Sequence, residues 1–162
     1  MNHQLPIEAS DTHPVKTAAF YGMYTTMLAR RTSLADQLHI CQTYAESSGF
    51  VILPEHSYTD LHGQGKSKVC RPGFEALQRV ARQNPKPFDY VLIDDMHRCS
   101  RGHSDLVNFT KLLHVHGIGV RFITQQLDSK DQNFNMILVI QNLMDEELVS
   151  HLRAKCKKAA QQ

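Results

Sequence analysis

No apolar run in this 162-residue chain approaches the ~20 residues that a membrane helix requires, and the amino end has no basic region leading into an apolar core. Neither a membrane span nor a cleaved secretion signal is expected, and the reading is a cytoplasmic protein without a membrane partner. The four cysteines, Cys41, Cys70, Cys99 and Cys156, contain no C-x-x-C pair, and a chain of this length needs no disulfide framework. Isolated reduced thiols follow. His114 and His116 look like a metal pair but have no Cys, Asp or Glu at ligand spacing, so no metal or other cofactor is expected. The phosphate-cradling patterns G-x-G-x-x-G and G-x-x-x-x-G-K-[ST] are missing too, which leaves a nucleotide-binding domain without specific support.

Net charge is also small. At +2 it argues neither for nor against nucleic acid, because affinity for a phosphate backbone depends on where positive charge clusters. The clusters are distinct: Lys66, Lys68 and Arg71 around one Gly-containing stretch, Arg98 and Arg101 in another, and Arg153, Lys155, Lys157 and Lys158 near the carboxyl end. Hydrophobic content of 41% and charge of 21% are those of a globular domain.

Residues 90–102 organise the rest. Tyr90, Val91, Leu92 and Ile93 have the β-branched, apolar character of a buried parallel strand, and Arg98 and Arg101 follow at the end where ligands gather in open α/β sheets. Two permanently charged guanidiniums three residues apart make a fork suited to a phosphate.

Residues 1–16 show no sustained period and read as a leader. Residues 17–25 are apolar and aromatic, a first strand with Thr25 at its end. Ser33 is an N-cap for a helix carrying Leu34, Leu38, Cys41, Tyr44 and Ala45 at helical spacing, and Gly49 stops it. Residues 50–53 form a second strand, and residues 58–72 a long polar loop containing Asp60, Gly63, Gly65 and Arg71. A helix over residues 73–82 presents Phe74, Leu77 and Val80, and Pro85 and Pro87 lie beyond it. After the 90–93 strand come a helix over 103–116, a stop at Gly117 and a strand over 118–124. A last helix over about 131–158 keeps Phe134, Ile137, Leu138, Ile140, Met144, Leu148 and Leu152 at helical spacing. The alternation predicts an α/β domain over 17–128 with a mostly parallel sheet of four to five strands, followed over 129–162 by the long helix and a basic tail. An apolar stripe that outlasts the sheet it could cover points to a dimer interface.

These residues together resemble the catalytic domain of the serine recombinases, the resolvase and invertase family, over about residues 18–158. The features agree in order: Tyr21-Gly22-Met23-Tyr24-Thr25, the helix opening at Ser33 to Gln37, Tyr58-Thr59-Asp60 followed by Gly63 and Gly65, Arg71-Pro72-Gly73-Phe74, His97-Arg98-Cys99-Ser100-Arg101, Gly117, and the terminal helix. The resemblance implies a resolvase-like fold and site-specific DNA recombination. A hydroxyl attacks a DNA phosphodiester without a metal, and arginines stabilise the charge on the transferring phosphoryl group. It places Thr25 at the nucleophile position and Arg71, Arg98 and Arg101 on the scissile phosphate. Lys66, Lys68, Arg153 and Lys157 are then candidates for DNA contact, with Gln37, Asp60 and His97 in support.

Three positions depart from the family pattern: Thr25 stands for a serine, Met23 for an arginine, and His97 for an acid. Glu147 stands near a basic position of the long helix. The implied partners are DNA and a second copy of the chain, with a tetramer on DNA during strand exchange. The alternative is a recombinase-like regulatory dimer that binds DNA without cutting it. Members generally carry a further DNA-binding module, since phosphate contacts position a protein and base contacts specify its site.

Overall fold

The computed structural model describes residues 14–25, 32–62, 71–99 and 103–159. In chain order the elements are β1 (Lys16–Thr25), α1 (Leu34–Ser48), β2 (Phe50–His62), α2 (Pro72–Ala81) and β3 (Tyr90–Ile93). A single 3-10 turn (Met96–Arg98) follows, then α3 (His103–Val115), β4 (Gly119–Phe122), β5 (Leu127–Asp128) and α4 (Phe134–Ala159). The sheet order is β2-β1-β3-β4-β5, parallel except for the short antiparallel β5. This is the α/β, mostly parallel, five-stranded arrangement expected from the alternation of apolar segments.

Alternation along the strands divides the core. Ala19, Tyr21, Met23, Val91, Ile93, Val120 and Phe122 face one side, where α2, α3 and the start of α4 contribute Leu77, Leu106, Phe109, Leu113, Phe134 and Leu138. Ala18, Phe20, Tyr90 and Leu92 face the other and meet Cys41 and Ala45 of α1. Successive strand side chains point to opposite faces, so a sheet covered on both sides must be apolar at nearly every position. The β3 sequence obeys this, with all four residues buried.

α1 begins and ends where its residues dictate. The Ser33 side chain accepts from the Asp36 N–H while the Asp36 carboxylate accepts from the Ser33 N–H, a reciprocal cap. That bonding holds the Asp36 carboxyl below the usual carboxylate range. Gly49 adopts φ 73°, the left-handed conformation that ends a helix with least strain in glycine.

β2 corrects the sequence reading. It was expected to stop at Leu53, with residues 58–72 as a loop; instead Tyr58–His62 continue the strand, and Tyr21 to Thr25 pair with Tyr58 to His62 in register. Between Ala18↔Ile52 and Phe20↔Ser57 the pairing shifts, so that one residue of β1, Ala19, runs against four of β2, residues 53–56. Pro54 falls in this bulge. It is tolerated because β2 is an edge strand and a bulge needs no ladder hydrogen bond there. The leader boundary also moves, since Lys16 already pairs with Phe50 and residues 1–13 lie outside the described residues.

Among the described side chains of α4, only those of the first turns are buried. Phe134 stacks on Phe122 at 6.4 Å and Leu138 is fully covered, whereas Met136, Ile140, Leu143, Met144, Leu148 and Leu152 are exposed. No helix among the described residues is long and apolar enough to cross a membrane.

Candidate functional site

Pairing between β1 and β3 ends at Tyr21↔Ile93, so the last four residues of β1 project beyond β3. Backbone groups left without a ladder partner need another one. Gln37, fully buried on α1, supplies it: Oε1 accepts from the Met23 N–H at 3.1 Å and Nε2 donates to the Met23 carbonyl at 3.1 Å. The side-chain amide thus stands in for a strand residue. Its Nε2 also donates to the Thr32 carbonyl at 3.1 Å, drawing in the chain where it returns to α1.

Arg98 comes to the same place from the 3-10 turn after β3. Asp95 caps that turn through the His97 N–H at 2.9 Å, and Gln125 Oε1 accepts from the Met96 N–H at 3.1 Å. Arg98 is 2% exposed. Its Nη1 donates to the Met23 carbonyl at 3.3 Å and its Nη2 to the Thr32 hydroxyl at 2.5 Å. A guanidinium is therefore fixed two residues before Thr25, which is the last residue of β1 and lies opposite His62 in register.

Asp60 and Arg71 complete the second half of the site. Asp60, 4% exposed on β2, accepts from the Gly73 N–H at 2.8 Å, the Phe74 N–H at 2.9 Å and the Tyr21 hydroxyl at 3.0 Å. A carboxylate here satisfies orphan N–H groups in the first turn of α2 and meets the positive end of its dipole. Pro72 at the first helical position has no N–H to satisfy. Gly73 is demanded by proximity, because a Cβ there would lie 2.5 Å from the Thr59 carbonyl oxygen. Gly73→Ala is expected to lower stability by about 1–3 kcal/mol through this overpacking, seen as a lower urea midpoint with unchanged slope.

The Arg71 guanidinium lies 4.1 Å from the Phe74 ring centroid and bonds the Tyr21 hydroxyl through Nη2 at 2.8 Å and Nε at 3.3 Å. Nη2 also donates to the Arg98 carbonyl at 2.8 Å, and Nη1 to the Cys99 carbonyl. Burial pushes the Tyr21 phenol far above its ordinary range, opposed by the neighbouring Arg71, so the hydroxyl stays protonated and able to donate to Asp60. Burial likewise raises the Cys99 and Cys41 thiols, which keeps them from acting as nucleophiles. A cleft of about 370 Å³ opens beside Arg71 between α2 and α3, lined by Phe74, Gln78, Arg82, Asp105 and Asn108 among others.

Of the residues singled out from the sequence, the structure brings Gln37, Asp60, Arg71 and Arg98 around the carboxyl ends of β1 and β3. His97 is exposed on the adjoining turn. Arg153 and Lys157 are exposed on α4, as is Glu147. Lys66, Lys68 and Arg101 lie outside the described residues. From the sequence Tyr21 reads as a core aromatic of the first strand, and nothing in the pattern marks Thr32. A tyrosine in a fully buried strand was a usable signal, since its hydroxyl must find a partner inside. Thr32 carried none.

The family description "Resolvase, N terminal domain" matches residues 24–162. Among solved structures, the chain is similar to the N-terminal catalytic domain of TP901-1 integrase, with TM-score 0.63 and 24% identity over 83% of this chain and 98% of that one. It is similar as well to a resolvase family site-specific recombinase from Streptococcus pneumoniae, with TM-score 0.63 and 18% identity over 91% and 99% of the two chains. A third is the C-terminal catalytic domain of ISC1926 TnpA, an IS607-like serine recombinase, with TM-score 0.52 and 18% identity over 88% and 84%. At these identities the likeness is one of fold. No curated protein matches the chain.

Proposed function

The chain belongs to the resolvase N-terminal domain family and is a site-specific recombinase catalytic domain; from that premise we propose that it cuts and rejoins DNA through the Thr25 hydroxyl. The observation that supports this reading is the clamp on Met23. Its N–H and carbonyl are held by Gln37 and its carbonyl also by Arg98, so the end of β1 that carries Thr25 is fixed beside a buried guanidinium. Positioning of this kind is most of what phosphoryl transfer asks of a protein.

In the reaction the Thr25 oxygen forms a bond to phosphorus as the bridging bond to the leaving deoxyribose oxygen breaks. The hydroxyl proton leaves Thr25, and the departing oxygen is protonated. Reversal with a different strand end rejoins the DNA. Arg98 and Arg101 serve the scissile phosphate, with Asp60 and Gln37 holding the frame. Of the Arg98 bonds among the described residues, Nη1 is tied to main chain, whereas the bond from Nη2 to the Thr32 hydroxyl can exchange for a phosphate oxygen, because a charged acceptor outcompetes a neutral one. Lys66, Lys68, Arg153 and Lys157 extend the DNA contact. The exposed apolar stripe of α4 is the surface for a second copy, and two such dimers meet on DNA.

One observation favours a second reading, a recombinase-like domain that binds DNA as a regulatory dimer without cutting. Met23 packs into the apolar cluster at 7% exposure, so this strand position offers no cation to the phosphate. The two readings separate in one experiment. The protein is incubated with gapped duplexes of randomised central sequence and covalent protein–DNA adducts are counted after denaturation. Adduct that disappears in Thr25→Ala supports cleavage; DNA retention without adduct establishes the regulatory reading.

A further inference from the structure

We infer that Arg71 is a positioning residue: it pins the turn that carries Arg98, anchored by Tyr21 and Asp60, and does not itself hold the DNA phosphate. The inference rests on the reading of Arg98 as a phosphate ligand and changes what its neighbour does.

A guanidinium recognises a phosphate best through an edge of two parallel N–H donors, and it has two such edges. On Arg71 both are engaged among the described residues. The edge made by Nε and Nη2 faces the Tyr21 hydroxyl, at 3.3 and 2.8 Å. The edge made by Nη1 and Nη2 faces the consecutive carbonyls of Cys99 and Arg98. Stacking fixes the flat face as well, at 4.1 Å from the Phe74 centroid and 5.5 Å from that of Tyr21. The plane of the group is set by its hydrogen bonds and its tilt by two rings.

The far side of the pin is equally determined. Arg71 offers no acceptor, so the Tyr21 O–H must point to Asp60, and the phenol oxygen is left to accept from Arg71. Asp60 is in turn held by the Gly73 and Phe74 N–H groups. A line of bonds thus runs from β2 through β1 to the turn after β3, three segments far apart in sequence. On the turn, the bonded carbonyls belong to the last residue of a 3-10 helix and to its cap, where main-chain oxygens lack helical partners. Cys99 is fully buried below them. With its main chain held from above by Arg71 and its side chain packed from below, the turn has one orientation. That orientation delivers the Arg98 side chain to Met23 and Thr32.

Two measurements test this. In the first, hydrogen exchange is followed without DNA at the Arg98 and Cys99 amides, which donate to the Asp95 and Met96 carbonyls at 3.0 and 3.1 Å. Tyr21→Phe keeps the ring and removes the acceptor; Arg71→Lys keeps the charge and removes the fork. Both should speed exchange at these two amides by about tenfold while amides of α1 stay unchanged. Unchanged exchange at the turn in both variants overturns the pin, and Arg71→Lys stands in should Tyr21→Phe fail to fold.

The second compares affinity for a gapped duplex across salt concentrations in Arg98→Ala, Arg71→Gln and the double variant. A positioning residue acts through Arg98, so Arg71→Gln should cost less than about twofold once Arg98 is gone, with no further fall in salt dependence. A further loss of about tenfold, with a salt slope smaller by about one, would make Arg71 a direct phosphate ligand and end the proposal. If Arg98→Ala leaves affinity unchanged, it is the phosphate reading of Arg98 that fails, and the exchange measurement still decides the pin.

Discussion

Asp60→Ala is expected to destabilise the domain by about 3 kcal/mol, a loss that could be read as a fall of about 1 M or more in the urea midpoint. The figure follows from what the carboxylate does. It accepts three hydrogen bonds, from the Tyr21 hydroxyl and the Gly73 and Phe74 N–H groups, at 2.8 to 3.0 Å in a residue 4% exposed. Leaving a buried donor unmet costs about 1–3 kcal/mol, more than the bond contributes when made, and water entering the vacated space recovers part of the total. The first turn of α2 also loses the negative charge facing its dipole. Asp60→Asn separates the contributions, because one oxygen remains while an NH₂ now faces donors; about half the loss is expected. A change below about 1 kcal/mol for Asp60→Ala would mean that α2 is held by Leu77 and Ala81 packing alone.

The same residue shows how far the sequence could be read. In the sequence Asp60 stands beside two glycines and an arginine and reads as part of a loop, because the apolar run of the second strand ends at Leu53. The bulge that absorbs Pro54 depends on β2 being an edge strand, a property of the whole sheet. Elements whose causes are local were legible: α1 between Ser33 and Gly49, β3 as a short apolar run, and α2 from the spacing of Phe74, Leu77 and Val80, although its first residue is Pro72 and not Gly73. That the strands run mostly parallel followed from the alternation of strands and helices, whereas their order in the sheet, β2-β1-β3-β4-β5, is set by long-range packing.

The site was legible in its ingredients and not in its wiring. Arg98 sits at the strand end where a ligand was expected, yet the pattern of two arginines three apart reads as an exposed fork. Instead Arg98 is buried and bonds to Thr32 and Met23, 66 and 75 residues away in sequence. Gln37 shows the same limit: a glutamine on a helix gives no sign that its amide will replace a missing strand. Arg71 is the sharpest case, because a family resemblance assigns it to the phosphate whereas its hydrogen bonds lie within the protein.

Installing arginine at Met23 together with serine at Thr25 is expected to raise covalent adduct formation with gapped DNA by ~10² or more, which makes it the most informative experiment on activity. Thr25→Ser removes a β-methyl that restricts χ1 and crowds an in-line approach; alone it should give about tenfold. The arginine restores a fixed positive charge near the phosphate, and one preorganised electrostatic stabiliser typically contributes ~10² or more in rate. The structure adds an opposing effect. Met23 is 7% exposed among apolar neighbours, and an arginine that stayed there would cost several kcal/mol as a buried, unpaired charge. Its longer stem can carry the head group past the end of β1. Rate and urea midpoint should therefore be measured on the same preparations and the rate expressed per folded protein. A large gain only in the double variant identifies the missing cation as the limiting defect, and a gain in Thr25→Ser alone identifies the nucleophile. No adduct in either, from protein that remains folded and binds DNA, would show that the frame around Met23 no longer admits a scissile phosphate and would establish the regulatory reading.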